Sequence, residues 1–208
     1  MKVLLLRHGK TKGNEEHRYI GRTEEKLSEL GKKELLRKKE HWEKKKDGIQ
    51  QTGETMLHKG DIVFVSPMGR CIETAEILFP NAVMYKEERL KEIDFGLFEN
   101  KNYQELNGQK EYQAWIDSGG RLDFPDGEPF AKFIQRSMAG FFFCVEIAKK
   151  RNLEIAVFVV HGGTIMSVMS ELACPKKDYY NWQVKNGSGY FCNMENGHLE
   201  VIREECIH

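Results

Sequence analysis

The sequence predicts an α/β fold class with a mainly parallel central sheet. Three short runs of consecutive apolar residues, at positions 3–6, 62–65 and 155–160, have the pattern of strands that are buried on both faces. Segments in which apolar residues recur with helical spacing separate these runs. Strands that alternate with helices favour parallel pairing, and the 208 residues are expected to form a single domain over positions 1–208.

Three helices are predicted from apolar residues three or four positions apart. Two of the apolar faces consist of Cys71, Ile72, Ala75 and Leu78, and of Ile165, Val168, Met169 and Leu172. A longer helix carries a wide stripe made of Phe130, Phe133, Ile134, Phe141, Val145 and Ala148. Each helix is expected to bury its apolar face.

The last part of the chain predicts a β-hairpin. Asn196-Gly197 separates two apolar segments, 190–194 and 199–202. Both turn residues tolerate a positive φ, which tight hairpin turns require. A further strand is predicted at positions 82–85.

The charge balance gives no global reason to expect nucleic acid or an anionic membrane as a partner. Lys and Arg total 32, Asp and Glu total 32, and the formal net charge is zero. The stretch from Lys32 to Lys46 is basic, but Glu34, Glu40 and Glu43 interrupt it, and its apolar residues Leu35, Leu36 and Trp42 could face a core. This stretch is therefore interpreted as a solvated helix face. Because the net charge is zero, an anionic small-molecule substrate would have to be attracted by local charge.

The cysteines indicate reduced structural thiols. The five cysteines are widely spaced and form no C-x-x-C or other short metal-ligand pattern. They are Cys71, Cys144, Cys174, Cys192 and Cys206. The first apolar run is too short for a signal peptide or a membrane span. The sequence thus predicts a cytoplasmic protein with no metal site, no cofactor and no membrane partner, and it leaves a homodimer open.

Each of the three buried strands is followed at once by basic residues and small turn residues. These segments read Arg7-His8-Gly9, Ser66-Pro67-Met68-Gly69-Arg70 and His161-Gly162-Gly163-Thr164. The carboxyl ends of parallel strands meet at one edge of a sheet, where ligands usually bind. Two arginines and two histidines are therefore expected to lie together.

This set of residues suits a phosphoryl group. Arg7 and Arg70 each offer a planar fork that matches two phosphate oxygens and stays charged at any working pH. A neutral imidazole can attack phosphorus and split one difficult transfer into two easier ones. Gly162-Gly163 opens a helix whose free N–H groups and dipole favour an anion. Each element taken singly has an ordinary structural explanation, but their occurrence at three strand ends favours a catalytic site.

The leaving oxygen of such a reaction needs a proton. Glu92 and Asp94 follow the predicted strand at 82–85. Either carboxyl could act as the acid in the first step and as the base for water in the second.

The chain resembles the histidine phosphatase superfamily, which includes the cofactor-dependent phosphoglycerate mutases. The matching segments are residues 6–14, Arg18 with Gly21, and residues 27–31, 66–75, 90–96 and 161–163. Their order and spacing fit along nearly the whole chain. The resemblance implies the three-layer α/β/α sandwich of phosphoglycerate mutase-like proteins.

The resemblance also implies roles for individual residues. His8 would be the nucleophile and Glu92 the proton donor, and the phosphoryl group would be held by Arg7, Arg70 and His161. The residues expected near the bound phosphate or substrate are Asn14, Arg18 and Gly21, together with Gly162 at the helix start. No metal and no cofactor is implied.

The segment around the acid is similar to the phosphatase branch that contains α-ribazole phosphatase and broad-specificity phosphatases. Gly127-Glu128 with Arg136 resembles that branch's Gly-Glu-Ser segment, although Pro129 replaces the serine. Ile20 stands where the family commonly has a polar residue before Gly21, and Glu99-Asn100 replaces a frequent pair of an acidic residue and glycine. The expected function is a metal-independent phosphatase that acts on a small-molecule phosphate monoester, with α-ribazole 5′-phosphate as one candidate substrate.

Three alternatives remain open. A phosphoglycerate mutase would use the same phosphohistidine but return the phosphate to its product. A non-catalytic phosphate-binding module would need the arginines but has no use for both His8 and Glu92. A metal hydrolase is disfavoured because the sequence lacks any metal-ligand spacing.

Overall fold

The computed structural model describes residues 1–44 and 61–205. Within these ranges the chain forms one seven-stranded sheet. Its strands are β1 (Lys2–Arg7), β2 (Ile62–Val65), β3 (Val83–Lys86), β4 (Ile155–Val160), β5 (Ala173–Cys174), β6 (Gly189–Glu195) and β7 (His198–Glu205). Their spatial order is β3-β2-β4-β1-β6-β7-β5.

The centre of the sheet is parallel, as predicted. Strand β2 pairs in parallel with β3 and with β4, and β4 pairs in parallel with β1. The antiparallel pairs β1–β6 and β6–β7 extend the sheet on the other side, and β5 adds a short parallel pair to β7. The prediction of a mainly parallel sheet is confirmed, and the strands at 3–6, 62–65 and 155–160 are neighbours within it.

The helices connect and cover these strands. They are α1 (Lys12–Glu15), α2 (Glu29–Lys44), α3 (Gly69–Leu78), α4 (Tyr103–Leu106), α5 (Lys110–Asp117), α6 (Phe130–Lys150) and α7 (Gly162–Leu172). Short 3₁₀ helices lie at Glu88–Leu90, Gly96–Phe98 and Tyr179–Trp182. The three helices predicted from apolar spacing correspond to α3, α6 and α7.

Alternate residues of the buried strands pack against helices on opposite faces of the sheet. Leu5 and Phe158 contribute to the core under α6 and α7, whereas Leu4 and Val157 contribute to the core under α2 and α3. This alternation follows from the two-residue period of a strand. The three-layer sandwich is confirmed.

A third hydrophobic cluster lies apart from the two sheet cores. Its buried residues are Ile93, Phe98, Leu106, Phe124 and Phe133, and the rings of Tyr19, Phe95, Tyr112, Trp115 and Phe130 pack against it. The residues come mainly from the loops and short helices between β3 and α6. This aromatic cluster borders the candidate site.

The predicted hairpin is present. Strands β6 and β7 are antiparallel, and they are joined by Asn196 and Gly197, with φ angles of 50° and 79°. Both turn residues occupy the left-handed region, which Asn and Gly tolerate best.

The basic stretch begins within α2, and its residues 45 and 46 lie outside the described part of the chain. Leu35 is fully buried, and the Lys38 ammonium lies 4.9 Å from the centre of the Trp42 ring. Leu36, however, is 48% exposed, so the expectation that it faces a core was wrong. Consecutive helical residues point about 100° apart, and Leu35 already occupies the inward position.

The described cysteines are free thiols. Cys71, Cys144 and Cys192 are buried and Cys174 is exposed. Cys206 falls outside the described residues. Across residues 1–44 and 61–205 no helix has the length and apolar character needed to cross a bilayer.

Candidate active site

The three strand ends meet as the parallel sheet requires. The His8 N–H donates to the Val160 carbonyl (2.9 Å), and the Ser66 N–H donates to the Val159 carbonyl (3.1 Å). The rings of His8 and His161 lie edge to face with their centroids 5.2 Å apart. Residues 8, 66 and 161, separated by up to 153 positions, therefore share one site.

The His8 ring is held in the tautomer that a nucleophile needs. Its Nδ1 lies 2.7 Å from the carbonyl oxygen of Gly9. Because a carbonyl can only accept, Nδ1 carries the proton and the lone pair of Nε2 is free. Burial, followed by the charges of Arg70 and Arg7, holds the pKa of His8 well below its usual range. The imidazole is therefore neutral at ordinary pH.

Neighbouring hydrogen bonds fix the backbone that carries His8. The Gly9 N–H donates to Thr74 Oγ1 (2.9 Å), and the Thr74 hydroxyl donates to the Arg70 carbonyl (2.6 Å). The Asn186 side-chain amide donates to the His8 carbonyl (3.2 Å) and to Asn14 Oδ1 (2.9 Å). Thr74 and Asn186 thus tie the segment that carries His8 to α3 and to the loop before β6. The sequence did not single out either residue as functional.

Both predicted phosphate-binding arginines keep part of their guanidinium group unpaired. Arg7 Nη1 donates to the Val184 carbonyl (2.8 Å), and Arg70 donates to the carbonyls of Thr23 (2.9 Å) and Gly21 (2.7 Å). The buried Nε atoms of Arg7 and Arg70 have no hydrogen-bond partner among the described residues. Buried donors are normally paired, so these N–H groups are suited to receive oxygens of an anion.

His161 and Arg70 are both fully buried, and neither is among the residues that are described as lining the cavity containing His8. His161 Nε2 is 2.7 Å from Ser66 Oγ and 3.5 Å from Cys71 Sγ. Burial, then the charges of Arg70, His8 and Arg7, holds the pKa of His161 well below its usual range. Two neutral histidines therefore lie beside two cationic arginines.

Glu92 lies against the start of α7. Its Oε2 accepts the Gly163 N–H (3.0 Å), and its Oε1 accepts the Ile93 N–H (3.0 Å). Burial raises the pKa of this carboxyl, an effect that the two N–H groups and the charges of Arg70 and Arg7 oppose. A Cβ at position 163 would lie 2.3 Å from Glu92 Oε1, so glycine is required there for the carboxylate to approach the helix.

Asp94, the other candidate acid, is engaged elsewhere. Its Oδ2 accepts a hydrogen bond from Arg22 (2.8 Å), and its Oδ1 accepts the Gly96 N–H (2.9 Å). Glu92 lines the same cavity as His8, whereas Asp94 is not among the residues described as lining it. The geometry therefore distinguishes the two carboxyls that the sequence could not.

The segment that carries Glu92 is held by Arg136 of α6. Arg136 donates to the carbonyls of Arg89 (2.8 Å) and Lys91 (3.0 Å). It also forms two hydrogen bonds with the Glu128 carboxylate, of 2.8 and 2.7 Å. The Glu128–Arg136 pair noted in the sequence thus positions the Glu92 loop, although Pro129 replaces the expected serine.

The remaining predicted site residues are placed in different ways. Asn14 and Arg18 line the cavity beside His8, and Gly162 lines it at the start of α7. Arg18 is bound to the carboxylates of Glu16 (2.7 Å) and Glu105 (2.6 Å). Gly21 is buried, and its carbonyl accepts from Arg70, so its contact with the site passes through that arginine.

One departure from the family pattern, Asn100 in place of glycine, has a structural explanation. Asn100 has a φ of 56°, a left-handed conformation that Asn tolerates better than most residues, so it can replace glycine there. The Glu99 carboxylate accepts the N–H groups of Gly21 (2.8 Å), Thr23 (2.8 Å) and Phe95 (3.2 Å). Glu99 therefore supports the loop behind Arg70.

The cavity that contains His8 and Glu92, which we refer to as the reaction cavity, has a volume of about 330 Å³. Its catalytic end is lined by Arg7, His8, Glu92, Gly162 and Gly163, and its other end by the aromatic residues Tyr19, Phe95, Trp115, Phe124, Phe130, Tyr179 and Tyr180. Sequence reasoning missed this aromatic end. The available signal was the density of rings at 95–130 and 179–180, a region with no predicted strand.

A second, polar cavity of about 720 Å³ adjoins the first. Its basic residues include Lys10 and Lys185, and it shares Arg7, Asn14 and Arg18 with the first cavity. Lys10 is paired with Glu34 at 2.7 Å. Neither His8 nor Glu92 is among its described lining residues. We refer to it as the vestibule.

The arrangement has the parts needed to accept a phosphoryl group on His8. A neutral imidazole, two arginines with unpaired donors and a half-buried carboxyl of raised pKa lie at one sheet edge. In the described ranges no group of three His, Cys, Asp or Glu residues is arranged to hold a metal ion.

The chain is similar to known proteins along nearly its whole length. Phosphoserine phosphatase 1 of Hydrogenobacter thermophilus is 27% identical over 211 residues, covering 98% of this chain and 91% of the relative. The crystal structure of the α-ribazole phosphatase from Shigella flexneri has 19% identity and a TM-score of 0.77, covering 99% of this chain and 96% of that one. A phosphoglycerate mutase structure from Thermus thermophilus has 24% identity and a TM-score of 0.67 with full coverage of both chains. The family model described as histidine phosphatase superfamily (branch 1) matches residues 3–206, and the chain belongs to that superfamily.

Proposed function

We propose that this protein is a phosphatase that hydrolyses a small-molecule phosphate monoester through a phosphohistidine on His8. One observation carries the proposal: the free Nε2 of a neutral His8 and the protonatable carboxyl of Glu92 share one cavity with the Arg7 guanidinium. The reaction needs a nucleophile, an acid and a cation in one place, and this cavity contains all three.

In the first step, His8 Nε2 attacks the phosphorus, and the bond between phosphorus and the leaving oxygen breaks. Glu92 gives its proton to that oxygen, and the alcohol leaves. The unpaired Nε–H groups of Arg7 and Arg70 bind oxygens of the transferring group, whose negative charge is spread over them. The raised pKa of Glu92 favours the protonated carboxyl that this step consumes.

In the second step, water attacks the phosphohistidine. The Glu92 carboxylate formed in the first step takes a proton from the water, the bond between phosphorus and Nε2 breaks, and inorganic phosphate is released. His8 regains its free lone pair and Glu92 its proton. The cycle closes without a further reactant.

The relatives include both a phosphoserine phosphatase and probable phosphoglycerate mutases, so they do not decide between the two functions. One structural observation favours the phosphatase. A phosphoglycerate carries a carboxylate that needs a cation, yet Arg18 in the reaction cavity is already bound by Glu16 and Glu105. α-Ribazole 5′-phosphate, which carries an aromatic base, suits the aromatic end of the cavity and is the first candidate substrate.

The test is phosphate release in the presence of EDTA, measured on α-ribazole 5′-phosphate, O-phosphoserine and 3-phosphoglycerate. Release that resists EDTA and is lost in His8→Ala is expected. Conversion of 3-phosphoglycerate to 2-phosphoglycerate without phosphate release would identify a mutase. Binding without turnover would identify a binding module, and loss of activity in EDTA would identify a metal hydrolase.

A further inference from the structure

Two groups of contacting rings line the aromatic end of the reaction cavity, and together we call them the aromatic wall. Phe95 and Phe124 meet edge to face with their centroids 4.9 Å apart, and Tyr19 meets Phe95 at 5.3 Å. On the other side Phe130 meets Tyr179 at 4.8 Å. The Tyr179 hydroxyl donates to the Gly163 carbonyl (3.2 Å), which connects this wall to the helix start beneath Glu92.

The position of the proton donor decides which cavity receives the alcohol half of the substrate. The leaving oxygen lies opposite the attacking Nε2 of His8 and within reach of the Glu92 carboxyl. Glu92 lines the reaction cavity and is not among the described residues of the vestibule. The group attached to the leaving oxygen therefore extends from Glu92 toward the aromatic wall.

The charges in that direction disfavour an anionic alcohol. Apart from His8, the ionised or ionisable acid and base side chains described in the cavity lining are Arg7, Arg18 and Glu92. Arg7 and Glu92 belong to the reaction centre, and Arg18 is bound by Glu16 and Glu105. A carboxylate placed against the rings would lack a counter-charge and would lose its hydration, which is unfavourable.

The size of the cavity limits the group further. Its volume of about 330 Å³ lies near the lower end of the roughly 300–1,000 Å³ range of small-molecule pockets. It accommodates a phosphate with a compact substituent. The rings offer the faces and edges that stack best with another ring.

We propose that the preferred substrates are monoesters of uncharged alcohols that carry an aromatic ring, bound with the ring against the wall formed by Tyr19, Phe95, Phe124, Phe130 and Tyr179. This substrate class rests on the proposed phosphatase function. It disfavours phosphoserine and phosphoglycerate, whose alcohols carry a carboxylate.

The first experiment compares 2-phenylethyl phosphate, ethyl phosphate and O-phosphoserine by kcat/KM. The leaving group of each ester is a primary alcohol. The acidity of these three leaving groups therefore differs much less than the acidity of an alkyl alcohol differs from that of a phenol. Burial of the phenyl ring should favour 2-phenylethyl phosphate over ethyl phosphate by about tenfold or more. Equal values for the two alkyl esters, or a higher value for O-phosphoserine, would overturn the proposal.

Matched variants on helix α6 locate the effect. Phe130→Ala should reduce the ratio of kcat/KM for 2-phenylethyl phosphate to that for ethyl phosphate. Phe142 lies on the same helix, is 40% exposed and is not among the residues described in the cavity lining, so Phe142→Ala should keep the ratio. A ratio that falls equally in both variants would overturn the assignment of the ring to this wall.

Binding of phosphonates tests the aromatic subsite independently of the phosphatase reaction, because a phosphonate cannot be hydrolysed. 2-Phenylethylphosphonate should bind about tenfold more tightly than ethylphosphonate in calorimetry. Tighter binding together with no hydrolysis of any ester would support the aromatic subsite and refute the phosphatase. Hydrolysis together with equal binding of both phosphonates would refute the subsite and leave the phosphatase standing.

Discussion

The Glu92 carboxylate and the Gly163 N–H meet at 3.0 Å, at the first turn of α7. The second carboxylate oxygen accepts the N–H of Ile93, also at 3.0 Å, so the group is held on both sides. These contacts orient the carboxyl while burial raises its pKa. A fixed, protonatable carboxyl beside a nucleophile is the arrangement that general-acid catalysis requires.

Replacement of Glu92 by glutamine should slow phosphorylation of His8 in a manner that depends on the leaving group. An alkoxide needs the proton, whereas p-nitrophenolate barely does. With an alkyl phosphate the single-turnover rate should fall by about 10²- to 10⁴-fold. With p-nitrophenyl phosphate, His8 of Glu92→Gln should be phosphorylated quickly, which releases a burst of nitrophenolate. Hydrolysis of the phosphoenzyme should then be slow, because the same carboxylate activates water. Rapid-quench measurement of the phosphoenzyme checks this.

Asp94→Asn is the matched control, since Asp94 is bound to Arg22 and the Gly96 N–H. It should show neither the burst nor the dependence on the leaving group. A burst in Asp94→Asn and none in Glu92→Gln would mean that the acid had been assigned to the wrong carboxyl.

Arg136 should act as a positioning residue through the carbonyls of Arg89 and Lys91. Arg136→Met should lower kcat for an alkyl phosphate by about 10- to 100-fold, because the acid is displaced, and should change KM less. The loss should be smaller with p-nitrophenyl phosphate, as for Glu92→Gln. Arg136→Lys should not rescue it, since a single ammonium cannot replace the guanidinium fork.

The control for this prediction is Lys149→Met on the same helix, which removes an exposed cation paired with Glu146. It should leave both kinetic constants unchanged. Equal losses with the alkyl and aryl substrates in Arg136→Met would indicate a general loss of structure rather than displacement of the acid.

For binding of phosphate by Arg7 and Arg70, the forked geometry of the guanidinium group should matter more than its charge. Arg7→Lys keeps the charge but removes the Nε–H that is unpaired in the site. Inhibition by inorganic phosphate or vanadate should weaken by about 10- to 100-fold, the value of one charge-assisted hydrogen bond. Arg70→Lys should weaken inhibition similarly and also lower stability, because Arg70 binds the carbonyls of Thr23 and Gly21. Arg22→Lys is the control and should leave the inhibition unchanged. Near-normal inhibition in both Arg7→Lys and Arg70→Lys would contradict the assignment of these two arginines to phosphate binding.

Much of this site follows from the sequence because strand ends are determined by apolar runs. Residues 3–6, 62–65 and 155–160 are buried on both faces, so their pairing is parallel and the segments after them share an edge. The juxtaposition of His8 and His161 needed only that topology. The same reasoning could not choose between Glu92 and Asp94, because the choice depends on the turn that Glu99 and Arg136 support.

The aromatic end of the cavity could not be predicted for a different reason. Tyr19, Trp115 and Tyr179 come from three separate loops and short helices, whose packing no periodic pattern records. Gly21 illustrates the same limit, since its place beside Arg70 reflects a carbonyl and not a side chain. Local sequence patterns are enough to predict the sheet, whereas the aromatic end of the cavity depends on how the loops pack.

The two buried histidines should make stability depend on pH. Unfolded histidine titrates near about 6.5, and burial holds the pKa values of His8 and His161 well below that in the folded state. The unfolded state therefore binds more protons below pH ~6.5, so the free energy of unfolding should fall as the pH drops, by up to about 1.4 kcal/mol per pH unit for each histidine. Above that pH their contribution is fully present.

Urea denaturation at several pH values between neutral and mildly acidic checks this slope. His8→Asn should reduce it, and His8→Asn with His161→Asn should reduce it further. His198→Asn, at the exposed start of β7, is the control. A slope that is the same in the double variant and in the unaltered protein would show that the histidines do not titrate as described.

The central claim is the covalent intermediate on His8, and it is tested most directly by trapping it. Brief incubation with a ³²P-labelled phosphate monoester, quenching and peptide mapping should give an acid-labile, base-stable label on the peptide that contains His8. His8→Ala should abolish the label, while His161→Ala should weaken it and leave some. Full labelling of His8→Ala, or a label that maps to another residue, would contradict the account.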